Sequence, residues 1–215
     1  MKRLTTIIIT LTTLLPLITT SQTEIRRGLV EDKKAQKIIE DIVRTMEKEF
    51  PISIEFEIEA KDAARTNKAS LTIDKDRYFG SLEGNMIFAD KSTITIYQEE
   101  INEASINNIE DFDSDFLNIS QFLSEANTKF RPKLIREEDN SYIIDLAPRQ
   151  SSEFSKIRLI ANKTTNRIVS LQLNYIGGGS YIYKVKSWKP KQNIDDSQFR
   201  FNKEKHKDVI IIDLR

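Results

Sequence analysis

The chain has no cysteine and only one histidine, His206, in 215 residues. Without thiols there can be no disulfide, no cysteine-ligated metal and no lipidated cysteine of the bacterial lipoprotein type. His206 lies in a charged stretch near the C-terminus, where solvation is its ordinary state, and no nucleophile-elbow motif accompanies it. A dense cationic tract is also missing. Lys plus Arg and Asp plus Glu both number 33 and are interspersed, for a formal net charge of +0. The electrostatic footprint of a nucleic-acid binder is therefore absent. Glycine is scarce, and three of the six glycines form Gly177-Gly178-Gly179. That triplet lacks the spacing and following helix of a phosphate-binding loop and reads as a hairpin turn. The one dense acidic run, "EDFDSDF" (110–116), carries Asp111, Asp113 and Asp115. It lacks the central glycine and distal glutamate of a calcium loop and reads as a solvated segment. The residues therefore nominate no catalytic group, metal site or cofactor, and the expectation is a protein that is not an enzyme.

What is present is a globular composition, 39% hydrophobic and 31% charged. The first segment stands apart. "MKRLTTIIITLTTLLPLITTSQ" has Lys2 and Arg3, an apolar core from Leu4 to Ile18, then small residues and no acid. This is the order of a secretory signal peptide, with cleavage expected near Ser21-Gln22. The apolar core is short and threonine-rich for a membrane anchor. The expected organisation is a signal peptide over 1–21 and a single exported domain over 22–215.

In "EDKKAQKIIEDIVRTMEKEF", Ala35, Ile38, Ile39, Ile42, Val43 and Met46 recur at helical spacing. The helix is expected to stop at Phe50-Pro51, because proline disfavours helical backbone before it. The period then becomes two. "ISIEFEIEA" puts Ile52, Ile54, Phe56, Ile58 and Ala60 on one face and Glu55, Glu57 and Glu59 on the other. The glutamates thus point to a polar face, which argues against a shared acid/base pocket. Further strands follow, with Asp90-Lys91 as a turn. Asn118 or Ser120 is placed to cap a short helix carrying Phe122, Leu123 and Ala126. Consecutive hairpins come next, turning at Glu138-Asp139-Asn140-Ser141, at "KTTNR" and at the glycine triplet; "QFRFN" and "VIIID" read as the final strands. The expected fold is mainly β with α. It is an incomplete antiparallel β-barrel of about ten or eleven strands, with an N-terminal helix and one or two short helices covering the concave apolar face. Such a face can hold a hydrophobic ligand, or can be filled entirely by the helices. The closing "DVIIIDLR" is expected to pair as a last strand and cover a sheet edge.

Several stretches resemble the LolA family of periplasmic outer-membrane lipoprotein carriers, in its Bacteroidetes-like form. They are "EIEAKD…KASLTIDKDRYF", "DKSTITIYQEEINEASI", "KIRLIANKTTNRIVSLQL" and the ending "YIYKVKSWKPKQNIDDSQFRFNKEKHKDVIIIDLR". The resemblance runs from about Glu31 to Arg215. Departures occur at Thr95, where the family usually has tryptophan, at Glu99 for a proline, and at Lys91 for a turn glycine. The lid-tying arginine of the family falls at Lys75, with Arg77 close by.

The resemblance implies a periplasmic carrier. Lipoprotein acyl chains would enter the concave cavity and be shuttled from inner to outer membrane. The implied partners are acylated lipoproteins, an inner-membrane lipoprotein-releasing transporter and an outer-membrane acceptor; a monomer is expected. The alternative is a non-shuttling sensor or interaction module that binds lipid or lipoprotein on the same scaffold. Strand alternation nominates Ile54, Phe56, Ile58, Leu71, Ile73, Ile94, Ile96, Ile144, Leu146, Leu171 and Leu173 as the lipid-binding lining. Phe122, Leu123 and Lys75 are the lid candidates.

Overall fold

A computed structural model describes residues 31–61, 66–82, 84–109, 119–191 and 193–215. The segment expected to be a signal peptide (1–21), the acidic run at 110–116 and Asn118 lie outside them, as does the side chain of Ser120. Helix α1 spans Lys33–Glu49 and buries Ala35, Ile38, Ile39, Ile42 and Met46, the predicted stripe. Asp32 caps its first turn, its Oδ1 accepting from the N–H of Ala35 at 3.0 Å. The chain leaves the helix at Phe50 and enters β1 (Ile52–Ala60) beyond Pro51.

A meander follows: β2 (Thr66–Asp74), β3 (Arg77–Leu82), β4 (Asn85–Ala89), β5 (Thr93–Gln98) and β6 (Glu103–Asn108). Helix α2 spans Ile119–Lys129. Then come β7 (Phe130–Glu138), β8 (Ser141–Pro148), β9 (Phe154–Asn162), β10 (Ile168–Tyr175), β11 (Ser180–Pro190) and β12 (Ile210–Asp213). Short 3-10 turns occupy Glu99–Ile101, Asp196–Phe199 and Lys203–Lys205.

Among the described residues, all twelve strands belong to one sheet, in the order β12-β6-β5-β4-β3-β2-β1-β11-β10-β9-β8-β7. The ends β12 and β7 do not meet, so the barrel is incomplete, as expected. β1 is central and pairs with both β2 and β11. The concave face carries one continuous core that both helices join.

The outer face of β1 and β11 is charged. Lys186 pairs with Glu57 at 2.8 Å and Lys184 with Glu59 at 2.6 Å. β2 and β3 approach closely at Gly80, where a Cβ would lie 1.9 Å from the Ser70 carbonyl oxygen.

Two details at the C-terminus differ from expectation. "QFRFN" forms no strand; residues 196–199 make a 3-10 turn, capped by Asp195 accepting from the N–H of Ser197. This segment crosses the outer face of the sheet. There Phe199 meets Phe79 (5.2 Å between ring centroids), and Phe201 meets Phe88 (5.8 Å) and Tyr97 (5.3 Å). His206 is half-buried and stacks on Phe201 at 4.8 Å, so it is a packing residue and not a solvated one.

The crossing returns the chain to the start of β6, and β12 therefore pairs with β6 in parallel. Twelve strands result, one ladder of them parallel. β12 covers the β6 edge as expected. The inward face expected of it is not there, however: Val209, just before β12, packs in a small outer cluster with Tyr97 and Ala104, Ile211 lies beside them, and Ile210 is exposed.

Deleting 209–215 would strip that edge and cluster. The expected loss in melting temperature is on the order of 10 °C, measured by thermal denaturation; an unchanged value would mean that β12 contributes nothing. Gly80→Ala is expected to cost about 1–3 kcal/mol in urea unfolding, because backbone and not a flexible side chain blocks the new methyl.

Candidate functional site

Cross-strand register decides what faces the concavity. Ile54 lies opposite Leu71 on one side and Trp188 on the other. Ile73 stands between Ile52 and Tyr78. Leu171 is flanked by Leu159 and Tyr183, and Leu173 by Ile157 and Tyr181. Ile144 and Leu146 oppose Leu159 and Ile157, while Ile94 and Ile96 oppose Ala89 and Ile87. All eleven nominated side chains thus turn toward one core. Ten are buried; Ile96 is half-buried and packs against them.

Among the described residues, the concave core holds an apolar crevice with a free volume of about 20 Å³, bounded on the helical side by Ile119 of α2. That is room for roughly one water, against about 300–1,000 Å³ for an ordinary ligand pocket. Of the nominated residues, Ile54, Phe56, Leu71, Ile73 and Leu171 line it; the other six lie elsewhere in the core. Ile119, Ile168, Tyr183, Val185 and Trp188 complete the lining.

Those five were not nominated from sequence. Trp188 was hidden for a specific reason. Glu55 pairs with Ser187 but Phe56 pairs with Val185, leaving Lys186 as an extra residue in β11. This β-bulge shifts the alternation, so that Trp188 joins Tyr183 and Val185 on the inner face. Strict alternation would have sent it outward.

Helix α1 is fastened at both ends. At its start, Arg149 forks onto Glu31, with Nη1 to Oε1 at 2.7 Å and Nη2 to Oε2 at 2.8 Å. The same guanidinium donates to the carbonyl of Phe130 at 2.8 Å. Asp32 has a second bond besides its cap: its Oδ2 accepts from the N–H of Leu134 in β7 at 2.9 Å. At the far end Arg167 forks onto Glu49, with Nη2 to Oε1 at 2.6 Å, and Trp188 Nε1 donates to Glu49 Oε2 at 2.6 Å. In the first turn of α1, the Gln36 carbonyl also accepts from Asn127 of α2 at 3.3 Å.

The lid candidates separate. Leu123 is buried, and Phe122 packs edge-on against Phe130 at 5.6 Å between centroids. Lys75 is exposed in the left-handed β2–β3 turn (φ 59), and no ion pair joins it to either helix among the described residues. Arg77 is also turned away, bound to Asp74 at 2.6 Å and Asp196 at 2.9 Å with its guanidinium over Phe199. The arginines that tie α1 to the sheet are Arg149 and Arg167.

No protein-family model and no curated protein matches the chain. Solved structures do. An uncharacterised conserved protein from Thermus thermophilus is similar over 81% of this chain and 98% of its own, at 15% identity and a TM-score of 0.55. A LolA superfamily protein from Nitrosomonas europaea is similar over 80% and 98%, at 12% identity and 0.44. A putative outer-membrane lipoprotein-sorting protein domain from Vibrio parahaemolyticus is similar over 78% and 97%, at 11% identity and 0.47. With the Thermus protein, at 15% identity, what is shared is the fold.

The clasp has a defined pH response. The hydrogen bond from Arg149 holds the Glu31 carboxyl below its ordinary 4.5. Partial burial pushes Asp32 up, but the N–H groups of Ala35 and Leu134 outweigh it, and the net direction is down from 3.8. Carboxyls depressed on folding contribute stability above their unfolded pKa and lose it as pH falls through the folded value. Asp32→Ala is therefore expected to cost about 1–3 kcal/mol at neutral pH. In urea titrations the gap to the parent protein should close as pH falls below about 4.

Proposed function

We propose that this protein is a LolA-like periplasmic carrier, exported by its N-terminal signal with cleavage near Ser21-Gln22. It takes the acyl chains of lipoproteins into the concave face and carries them from inner to outer membrane. An inner-membrane lipoprotein-releasing transporter loads it and an outer-membrane acceptor unloads it. It works as a monomer without chemical catalysis.

One observation carries this proposal. An amphipathic helix plugs an open, strongly apolar sheet that would otherwise face water. The energies of plug and cargo are comparable. Ile38, Ile39, Ile42 and Met46 are buried, each worth about 1.5–3 kcal/mol, so that lifting α1 forfeits roughly 6–12 kcal/mol. A sixteen-carbon chain withdrawn from water gains roughly 12 kcal/mol. Loading is thus an exchange of apolar contacts near balance, which lets the cargo both enter and leave. The nominated lining and the lid residues Phe122 and Leu123 are the contacts exchanged, while the third lid candidate, Lys75, stays at the exposed β2–β3 turn.

A second function has its own support. Two arginine forks hold α1 down, and a helix fastened in this way suits a sensor that opens seldom and reads lipid or lipoprotein without shuttling it.

Purified, delipidated protein is expected to bind a fluorescent fatty acid at one site and to show acyl adducts by native mass spectrometry. Failure of both would exclude a lipid container. Depletion of the protein in its host, followed by membrane fractionation, separates the two functions. A carrier's loss strands lipoproteins in the inner membrane, whereas a sensor's loss leaves their distribution unchanged.

A further inference from the structure

Trp188 is the only tryptophan of the chain. It occupies two environments at once. Its ring lines the apolar crevice with Ile54 and Leu171, and its Nε1 donates to Glu49 Oε2 at 2.6 Å. Glu49 is the last residue of α1 and is also gripped by Arg167. A β-bulge at Lys186, with that lysine paired outward to Glu57, turns the indole inward. The indole is half-buried, and the crevice's free volume of about 20 Å³ does not admit an acyl chain beside it.

We propose that Trp188 couples occupancy of the crevice to release of α1. This inference rests on the acyl-binding function proposed above and names the residue that transmits it. A hydrocarbon chain entering between Ile54 and Leu171 must displace the indole. Displacement separates Nε1 from Glu49 and removes one of the two groups that hold the C-terminal end of the helix. Arg167 is left as a single ion pair, partly open to solvent and correspondingly weak. Trp188 is a positioning residue for the lid as well as a wall of the site. The energetic link runs both ways: whatever breaks the indole–carboxylate bond in the closed state also favours acyl binding.

The full chain offers a direct readout, because all tryptophan emission comes from this position. Palmitate is titrated while native mass spectrometry counts bound chains. Tryptophan emission and hydrogen exchange at the last turn of α1 are followed in parallel. Binding is expected to shift the emission and to raise exchange at residues 46–50. Trp188→Phe keeps a ring in the crevice but lacks the N–H. Its last helical turn is expected to exchange faster without ligand, palmitate to add little further, and the apparent Kd to tighten about tenfold.

A purely structural role would leave the ligand-induced increment in exchange unchanged by the substitution, and that result would overturn the proposal. So would palmitate counted by mass spectrometry with no change in emission or exchange, which would leave the carrier function standing. No bound palmitate at all would remove the carrier function and this coupling together. Glu49→Gln, which keeps a side-chain carbonyl to accept from the indole but weakens the arginine fork, is a second variant should Trp188→Phe fail to fold. It should retain the emission shift and the increment in exchange, and losing either would count against the coupling.

Discussion

An open curved sheet with isoleucine and leucine along its inner face cannot stand alone in water, and the structure is built around covering it. The strands of a closed barrel protect one another, but this sheet leaves β12 and β7 apart. Its concavity must be filled from outside the sheet. Helix α1 supplies that cover with a stripe of four large aliphatic side chains, and α2 adds Leu123 and Ile119. The hydrophobic effect responds to buried area and not to the covalent origin of the covering group. A surface satisfied by a helix is therefore satisfied equally by a hydrocarbon chain of similar area.

Burial of this kind is non-directional, so polar contacts must set where the helix sits. They lie at its two ends. Glu31 and Asp32 meet Arg149 and the Leu134 N–H, while Glu49 meets Arg167 and Trp188. Asp32 serves both the helix and the edge of the sheet. By engaging the Leu134 N–H it blunts an edge strand that Pro132 already keeps from extending a ladder. These polar contacts are partly exposed, so each adds less than the apolar burial beneath the helix while fixing where it sits.

The outer face follows a different logic. Over β1 and β11 it carries cross-strand Glu–Lys pairs, which keep it in water. Over β3 to β6 it carries Phe79, Phe88 and Tyr97, which need covering in turn. The segment between β11 and β12 provides the cover through Phe199 and Phe201, with Arg77 over Phe199. The crossing that buries these rings also delivers β12 to β6 in parallel. A second, smaller core thus locks the terminus, remote from the concavity that is proposed to open.

Local periodicity was enough to read much of this molecule. The stripe of α1, the inward set from Ile54 to Leu173 and the hairpin turns at Asp90 and at Asp139-Asn140 are all short-range patterns, because helix and strand geometry repeat within a few residues. The elements, the apolar face and the half-barrel were therefore legible from the residues alone. The remainder needed the folded chain. The bulge at Lys186 that aims Trp188 inward depends on pairing with β1, more than a hundred residues away in the chain. The arginines that hold α1 also lie far from it in sequence, so neither Arg149 nor Arg167 leaves a local signal. The parallel seat of β12 depends on where Phe199 and Phe201 find partners. Contacts between distant residues follow from how the sheet curls, and that curl is a property of twelve strands together.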